Sequence, residues 1–305
     1  MGIERTTIGS FPRVDEPLEV AIKDVVDLQL KYGIDVITDG EQRADMIAYF
    51  EQIPGLSKGS RGLKVSGKIR PMDDSDDFYK IEDFHRVQSY LDSINRRDVK
   101  TKITLTGPVT LGMTSAMGGL SGYRNVRDSQ LYMDCADALL PLASRAIGVG
   151  AHLQIDEPGI SARFESPKYL ERLLSALPDN AVDEGRVSLH ACGSVGRVYK
   201  ELMDLSVNIF SFGFSRAQES KNIETISSES LKEGKRLGVG FLSNTSLEDP
   251  DTALRRLNKI AGIVGVENIA YIHPDCGFAP TPPELVEPIL MNMKEASDVF
   301  LRSNG

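Results

Sequence analysis

Tryptophan is absent from this sequence, and cysteine and histidine are scarce: three Cys and four His among 305 residues. Three cysteines cannot build a complete disulfide framework, so the fold must rest on an apolar core, and 41% hydrophobic residues suffice for one. Basic residues are also in deficit. Thirty-five Lys plus Arg against 44 Asp plus Glu leave a formal charge of −9, which argues against the broad positive surface that nucleic-acid backbones or anionic membranes require. No stretch approaches the ~18 uninterrupted apolar residues of a membrane span, and "MGIERTTIGSFPR" lacks the basic-then-apolar pattern of a secretion signal. The composition predicts a cytoplasmic globular protein with no nucleic-acid or membrane partner. In such a compartment the few cysteines read as ligands, nucleophiles or core filler.

What is present is a repeated alternation. Eight short apolar runs end in polar or turn-forming residues: "RTTIGSFP", "DVITDGEQ", "KITLTGPV", "HLQIDEPG", "VSLHACG", "IFSFGFS", "GVGFLSN" and "IAYIHPDCG". Amphipathic helical stretches separate them, among them "EPLEVAIKDVVDLQLKYG", "SQLYMDCADALLPLASRAIGVG", "PKYLERLLSALP" and "DTALRRLNKIAGIVG". Strand and helix repeated eight times predict one α/β domain over residues 1–305, a (β/α)8 TIM barrel. Cys135 lies in a helical apolar pattern and reads as core packing. Residues 51–100, rich in Gly, Ser and charge, read as an irregular excursion after the second strand.

Barrel active sites lie at the carboxyl ends of the strands. Here those ends carry Ser10, Asp39 with Glu41, Thr106, Asp156 with Glu157, His190 with Cys192, Ser215, Asn244 and Cys276. His190 and Cys192 are two apart in an extended segment, so both side chains face the same way. Cys276 ends the eighth strand and can complete a set of one nitrogen and two sulfurs. That set suits zinc, with a fourth position left for substrate. Thiolate-rich ligation favours activation of a substrate thiol over activation of water for hydrolysis.

These residues also carry a resemblance. Through "TTIGSFPR", "TDGEQRADMIAYF", "LTGPVTL", "LQIDEP", "HAC" and "HPDCGF", in this order, the chain resembles the catalytic barrel of the cobalamin-independent methionine synthase family, especially its short core members. The resemblance implies zinc on His190, Cys192 and Cys276. It further implies homocysteine held by the Ile8 to Ser10 turn, by Glu41 and by Asp156, the carboxylates pairing with its ammonium. Beyond the zinc site it implies no catalytic residue.

The departures from that pattern are as informative. The family's fourth ligand is a Glu on the sixth strand, where this chain has Gly213; Glu219 and His273 are candidates to fill in. A family His after the seventh strand is replaced within "GFLSNTS", where Asn244 and Thr245 cannot act as acids near neutral pH. The aromatic that stacks a folate is missing after "GPVT", and Ala162 stands where a pterin-binding Glu is expected. The donor implied is methylcobalamin or a methylated corrinoid protein, with the Gly- and Met-rich "GMTSAMGGLSG" as a flat rim. Two alternatives stay open. One is alkyl or methyl transfer to another small thiol such as coenzyme M, whose sulfonate would need Arg13, Arg43 or Arg216. The other is a non-catalytic homologue that docks a corrinoid protein.

Overall fold

Side-chain character alternates along the strands, and the alternation decides which way each residue faces. In "KITLT", Ile103 and Leu105 join a large apolar cluster with Leu153, Ile155, Leu189, Phe210, Phe212 and Phe241. Their neighbours Lys102 and Thr104 point the other way and meet polar groups of Gln154 and Glu41. The result is an apolar layer between strands and helices wrapped around a polar barrel interior. The floor of that interior is apolar, where Val36, Ile209, Ala270 and Tyr271 form a small separate cluster.

The computed structural model describes residues 2–162, 166–231 and 234–304. Eight parallel strands form the ring: β1 (Glu4–Arg5), β2 (Val36–Ile37), β5 (Lys100–Thr106), β6 (His152–Asp156), β7 (Val187–Ala191), β8 (Ile209–Gly213), β9 (Arg236–Leu242) and β10 (Ile269–Pro274). Their order is β1-β10-β9-β8-β7-β6-β5-β2. A parallel bridge between Thr6 and Val36 joins the two ends, reinforced by the Arg5 amide donating to Asp35 Oδ2 at 2.8 Å. The (β/α)8 barrel expected from the alternation is the observed fold.

Helices α1 (Leu18–Lys31), α2 (Tyr79–Ser93), α3 (Pro108–Gly118), α4 (Ser129–Gly148), α5 (Pro158–Ser161), α6 (Lys168–Leu174), α7 (Asp179–Asp183), α8 (Tyr199–Met203), α9 (Pro250–Val264) and α10 (Pro283–Asn304) surround the ring. Local chemistry sets several of their ends. Asp128 and Asp249 cap α4 and α9 by accepting from backbone amides, and Gly265, at φ 88°, stops α9. Cys135 is fully buried in α4, as its pattern indicates.

Three details differ from the sequence reading. Residues 51–100 hold regular structure: an antiparallel hairpin, β3 (Leu56–Gly59) with β4 (Gly62–Val65), and then α2. Helix α2 is obscured in the sequence because its buried face carries Lys80 and Asp83 beside Ile81, Phe84, Val87 and Leu91. An inward Lys and an inward Asp dilute the apolar face by which an amphipathic helix is recognised, although Ile81, Phe84, Val87 and Leu91 keep its period. The first part of the predicted flat rim, "GMTSAMG", is the second half of α3, packed so closely on the hairpin that a Cβ on Gly118 would meet the Leu63 carbonyl oxygen at 2.1 Å. Finally, among the described residues β8 is followed by 3-10 turns at Ser220–Glu224 and Ser228–Leu231 in place of an α-helix.

Candidate active site

Strand β7 delivers His190, and its continuation delivers Cys192 on the same side. From β10 the chain runs on to Cys276. His190 Nε2 lies 2.8 Å from Cys192 Sγ, and Cys192 Sγ lies 2.6 Å from Cys276 Sγ. The three ligand atoms fall within 4.8 Å of one another, and no other His, Cys, Asp or Glu among the described residues joins them. His190 is buried; the two cysteines are half-buried and so remain within reach of a small molecule. Contact with the Cys276 thiol and burial push the Cys192 thiol well up, so Cys192 resists ionisation unless a cation is added. Burial, with His273 nearby, pushes His190 well down and keeps its ring neutral. A neutral imidazole and two adjacent thiols are the donors that a thiophilic ion such as zinc requires.

Behind this trio runs a line of hydrogen bonds. His190 Nδ1 lies 2.9 Å from Ser211 Oγ, and that oxygen lies 2.8 Å from His273 Nε2. His273 Nδ1 in turn lies 2.7 Å from the Pro274 carbonyl oxygen. Burial lowers His273 to about 4, so it too is neutral. Both of its nitrogens are therefore engaged away from the cysteines.

The place of a side chain at Gly213 is taken. A Cβ built there would lie 2.7 Å from Glu219 Oε2. Glu219 reaches that volume from the loop after β8, where it accepts from the Gly193 amide at 2.7 Å and from both Nε and Nη2 of Arg216. Its carboxylate thus ties the residue after Cys192 to Arg216 without joining the donor trio. Asp275, next to Cys276, is fully buried and pins the same loop by accepting from the amides of Phe214 (2.8 Å), Ser215 (3.1 Å) and Arg216 (2.9 Å). Sequence reasoning used only the histidine and the cysteine of "HPDCG". The signal available for Asp275 was an acidic residue locked between Pro and Cys at a strand end.

Across the mouth, β2, β5 and β6 build a charged cluster. Glu41, held at the uncommon φ of 53°, accepts from Lys80 Nζ at 2.8 Å and Thr104 Oγ1 at 3.0 Å. Lys80 is almost wholly buried and sits 4.0 Å from the centre of the Tyr49 ring. Burial by itself would lower the Lys80 ammonium, but Glu41 and Asp39 outweigh it and the net direction is upward. Lys102 donates to Thr7 O (2.6 Å), Gln154 Oε1 (2.7 Å) and Thr6 Oγ1 (3.1 Å). Gln154 in turn donates to the Ile8 carbonyl at 2.7 Å and to Asp156 Oδ1 at 2.6 Å. Burial and the charge of Glu41 push Asp156 up, while burial pushes Lys102 down.

Of the residues singled out from the sequence, His190, Cys192 and Cys276 meet directly, and Ile8 and Asp156 are linked through Gln154. Glu41 lies in the same charged cluster. Ser10 is found on the cysteine side, since a Cβ on Gly277 would stand 2.2 Å from its Oγ. Other rim residues have structural partners. Glu157 accepts from the amides of Val109 (3.0 Å) and Thr110 (2.6 Å) at the start of α3, and Thr106 donates to the Met46 carbonyl. Asn244 donates to the Gly277 carbonyl at 2.6 Å, and its buried Oδ1 has no partner among the described residues. Lys80 was missed because its helix was missed.

Comparison with known proteins places this geometry. The family described as cobalamin-independent synthase, catalytic domain, matches residues 8–299. The methionine synthase of Methanothermobacter marburgensis is 30% identical over 301 residues, covering 96% of this chain and 92% of that protein. The 5-methyltetrahydropteroyltriglutamate–homocysteine methyltransferase of Shewanella oneidensis is 28% identical over 348 residues, but the match spans only 43% of its length. Among solved structures, a B12-independent methionine synthase from a Shewanella species in complex with selenomethionine superposes with a TM-score of 0.76 at 18% identity, covering 100% of this chain and 99% of that one. The last likeness shows the same barrel. With the family match running through both halves of the mouth and through all three soft donors, the chain belongs to the cobalamin-independent synthase family and corresponds to its catalytic domain.

Proposed function

We propose that the protein is a zinc-dependent methyltransferase that converts homocysteine to methionine, with zinc held by His190, Cys192 and Cys276. The observation that carries this reading is the convergence of one imidazole and two thiols beside a buried acidic cluster, with Asp156 in register with His190 on the neighbouring strand. Zinc bound to such donors supplies the Lewis acidity that keeps a substrate thiol ionised at neutral pH. The chain's own residues supply position. Asp156 and Glu41 receive the amino group, and the turn from Ile8 to Ser10 borders the amino-acid moiety, so that the sulfur is presented to the cysteine side. Burial and the charge of Glu41 hold Asp156 up, and an incoming ammonium beside it would favour its ionised form. In the transfer the sulfur–carbon bond forms as the bond from the methyl carbon to its leaving group breaks. Alignment does most of the catalytic work in such a step.

The donor we infer is methylcobalamin or a methylated corrinoid protein, not a polyglutamyl folate. The chain has no Trp to stack a pterin. Glu157, the acid of the "DEPG" segment that precedes Ala162, is committed to the start of α3. The acceptor reading favours an amino acid over a sulfonate such as coenzyme M, because Arg43 is engaged by Asp83 and Glu82, and Arg216 by Glu219. The test is methionine formation by zinc-loaded protein from homocysteine with methylcobalamin, a methylated corrinoid protein or methyl-folate. Turnover with a corrinoid donor is expected. Turnover with methyl-folate alone would overturn the donor assignment, and no methionine from any donor would overturn the reaction.

A further inference from the structure

The hydrogen-bond line behind His190 has a direction, and one end of it sets that direction. A backbone carbonyl only accepts, so the neutral ring of His273 must carry its proton on Nδ1, 2.7 Å from the Pro274 oxygen. Its Nε2 is then a bare lone pair facing Ser211 Oγ at 2.8 Å. The one hydroxyl proton of Ser211 is drawn to that lone pair, which leaves the oxygen to accept. What it accepts is the Nδ1 proton of His190, 2.9 Å away. His190 Nε2 is thereby stripped of hydrogen on the side where Cys192 and Cys276 lie.

We propose that His273 is a positioning residue that fixes the tautomer of His190 through Ser211, so that Nε2 is held ready for a metal ion before any ion arrives. The proposal rests on the metal reading above for its purpose, but the tautomer itself is a property of the metal-free chain. The fold keeps the line intact by a separate device. Gly238 has no side chain where a Cβ would stand 3.0 Å from His273 Nε2 and 3.0 Å from Ser211 Cβ. Any larger residue there would press on the link between the two. His273 lies on β10, Ser211 on β8 and Gly238 on the intervening β9, so closure of the barrel sets the spacing and no local segment can.

Two measurements test it. Nitrogen-15 NMR of the metal-free protein at neutral pH reads the tautomers directly, and with four histidines in the chain the signals are assignable by substitution. Both His190 and His273 are expected as the Nδ1–H form; a His190 carrying its proton on Nε2 would overturn the proposal without any variant having to fold. The second measurement is zinc affinity by competition with a chromophoric chelator. Ser211→Ala and His273→Leu should each weaken binding by ~10–100-fold, the usual cost of losing an outer partner of a ligand histidine. Because they act in series, the double variant should match Ser211→Ala within about twofold. A folded His273→Leu protein that binds zinc as tightly as the parent would sink the idea. Failure of the parent to bind zinc counts against the metal reading alone, since the tautomer is scored without metal.

Discussion

The two halves of the barrel mouth solve opposite problems. On the side of β7, β8 and β10, the donor trio and the ring behind it are kept neutral, with two imidazoles pushed down by burial and a thiol pushed up. On the side of β2, β5 and β6, Lys80 is held as a cation on Glu41, while Lys102 and Asp156, joined through Gln154, are pushed down and up respectively by burial. Burying an unpaired charge costs several kcal/mol, whereas a neutral polar group needs only hydrogen bonds. A site for a dication gains from neutral donors with free lone pairs. A site for an amino acid gains from a buried acid whose ionised form an incoming ammonium favours.

Substitutions that cross this division should show it, beginning with the largest effect. Cys276→Ala is expected to abolish zinc binding and methionine formation together, with elemental analysis falling from about one zinc per chain to near zero. The fold should survive, because Cys276 is half-buried and neighbouring Asp275 still holds the loop. Lys80→Met on the charged side should do the reverse. It leaves Glu41 buried without its cation and is expected to cost about 3–5 kcal/mol in denaturant unfolding, while zinc stoichiometry is retained.

A pH effect of similar origin belongs to Glu157. Burial raises its folded pKa to about 7, above the ordinary glutamate value. Between about pH 4.5 and pH 7 the unfolded chain therefore gives up a proton that the folded chain keeps, and stability falls as pH rises through that window. Comparing the pH dependence of unfolding of Glu157→Gln with that of the parent should show the slope flattened in the variant; an unchanged slope would refute the assignment. Asp156→Asn is next in size. The expected change is an increase of ~10–100-fold in the Michaelis constant for homocysteine, the scale of one lost charge-assisted contact, with zinc content unchanged.

The smallest effect should come from Gly213→Ala. Its methyl must displace Glu219 and should cost about 1–3 kcal/mol. Combined with Glu219→Ala, which vacates the same space, the loss should be less than additive. Strict additivity would show that the two positions do not share that volume.

Much of this molecule was legible before folding. The strands could be read because apolar and polar residues alternate with period two, and the candidate metal trio because soft donors are so scarce that their placement at strand ends stands out. Helix α2 was passed over although Ile81, Phe84, Val87 and Leu91 hold a helical period, since Lys80 and Asp83 dilute its apolar face for the sake of partners far along the chain. Asp275 and Ser211 were passed over for a related reason: an acid or a hydroxyl at a strand end has many ordinary uses as a turn or cap residue.

The sequence by itself determined the alternation that makes a barrel and the short list of side chains able to take a thiophilic ion, because those depend on residue type and on neighbours two to four positions away. Tertiary structure alone decided who answers whom. Lys80 meets Glu41 from 39 residues away, His273 meets Ser211 from 62 residues away, and Glu219 fills the room that Gly213 leaves. Charge balance, proton direction and close packing are relations between surfaces, and those surfaces come together only when the eighth strand closes on the first.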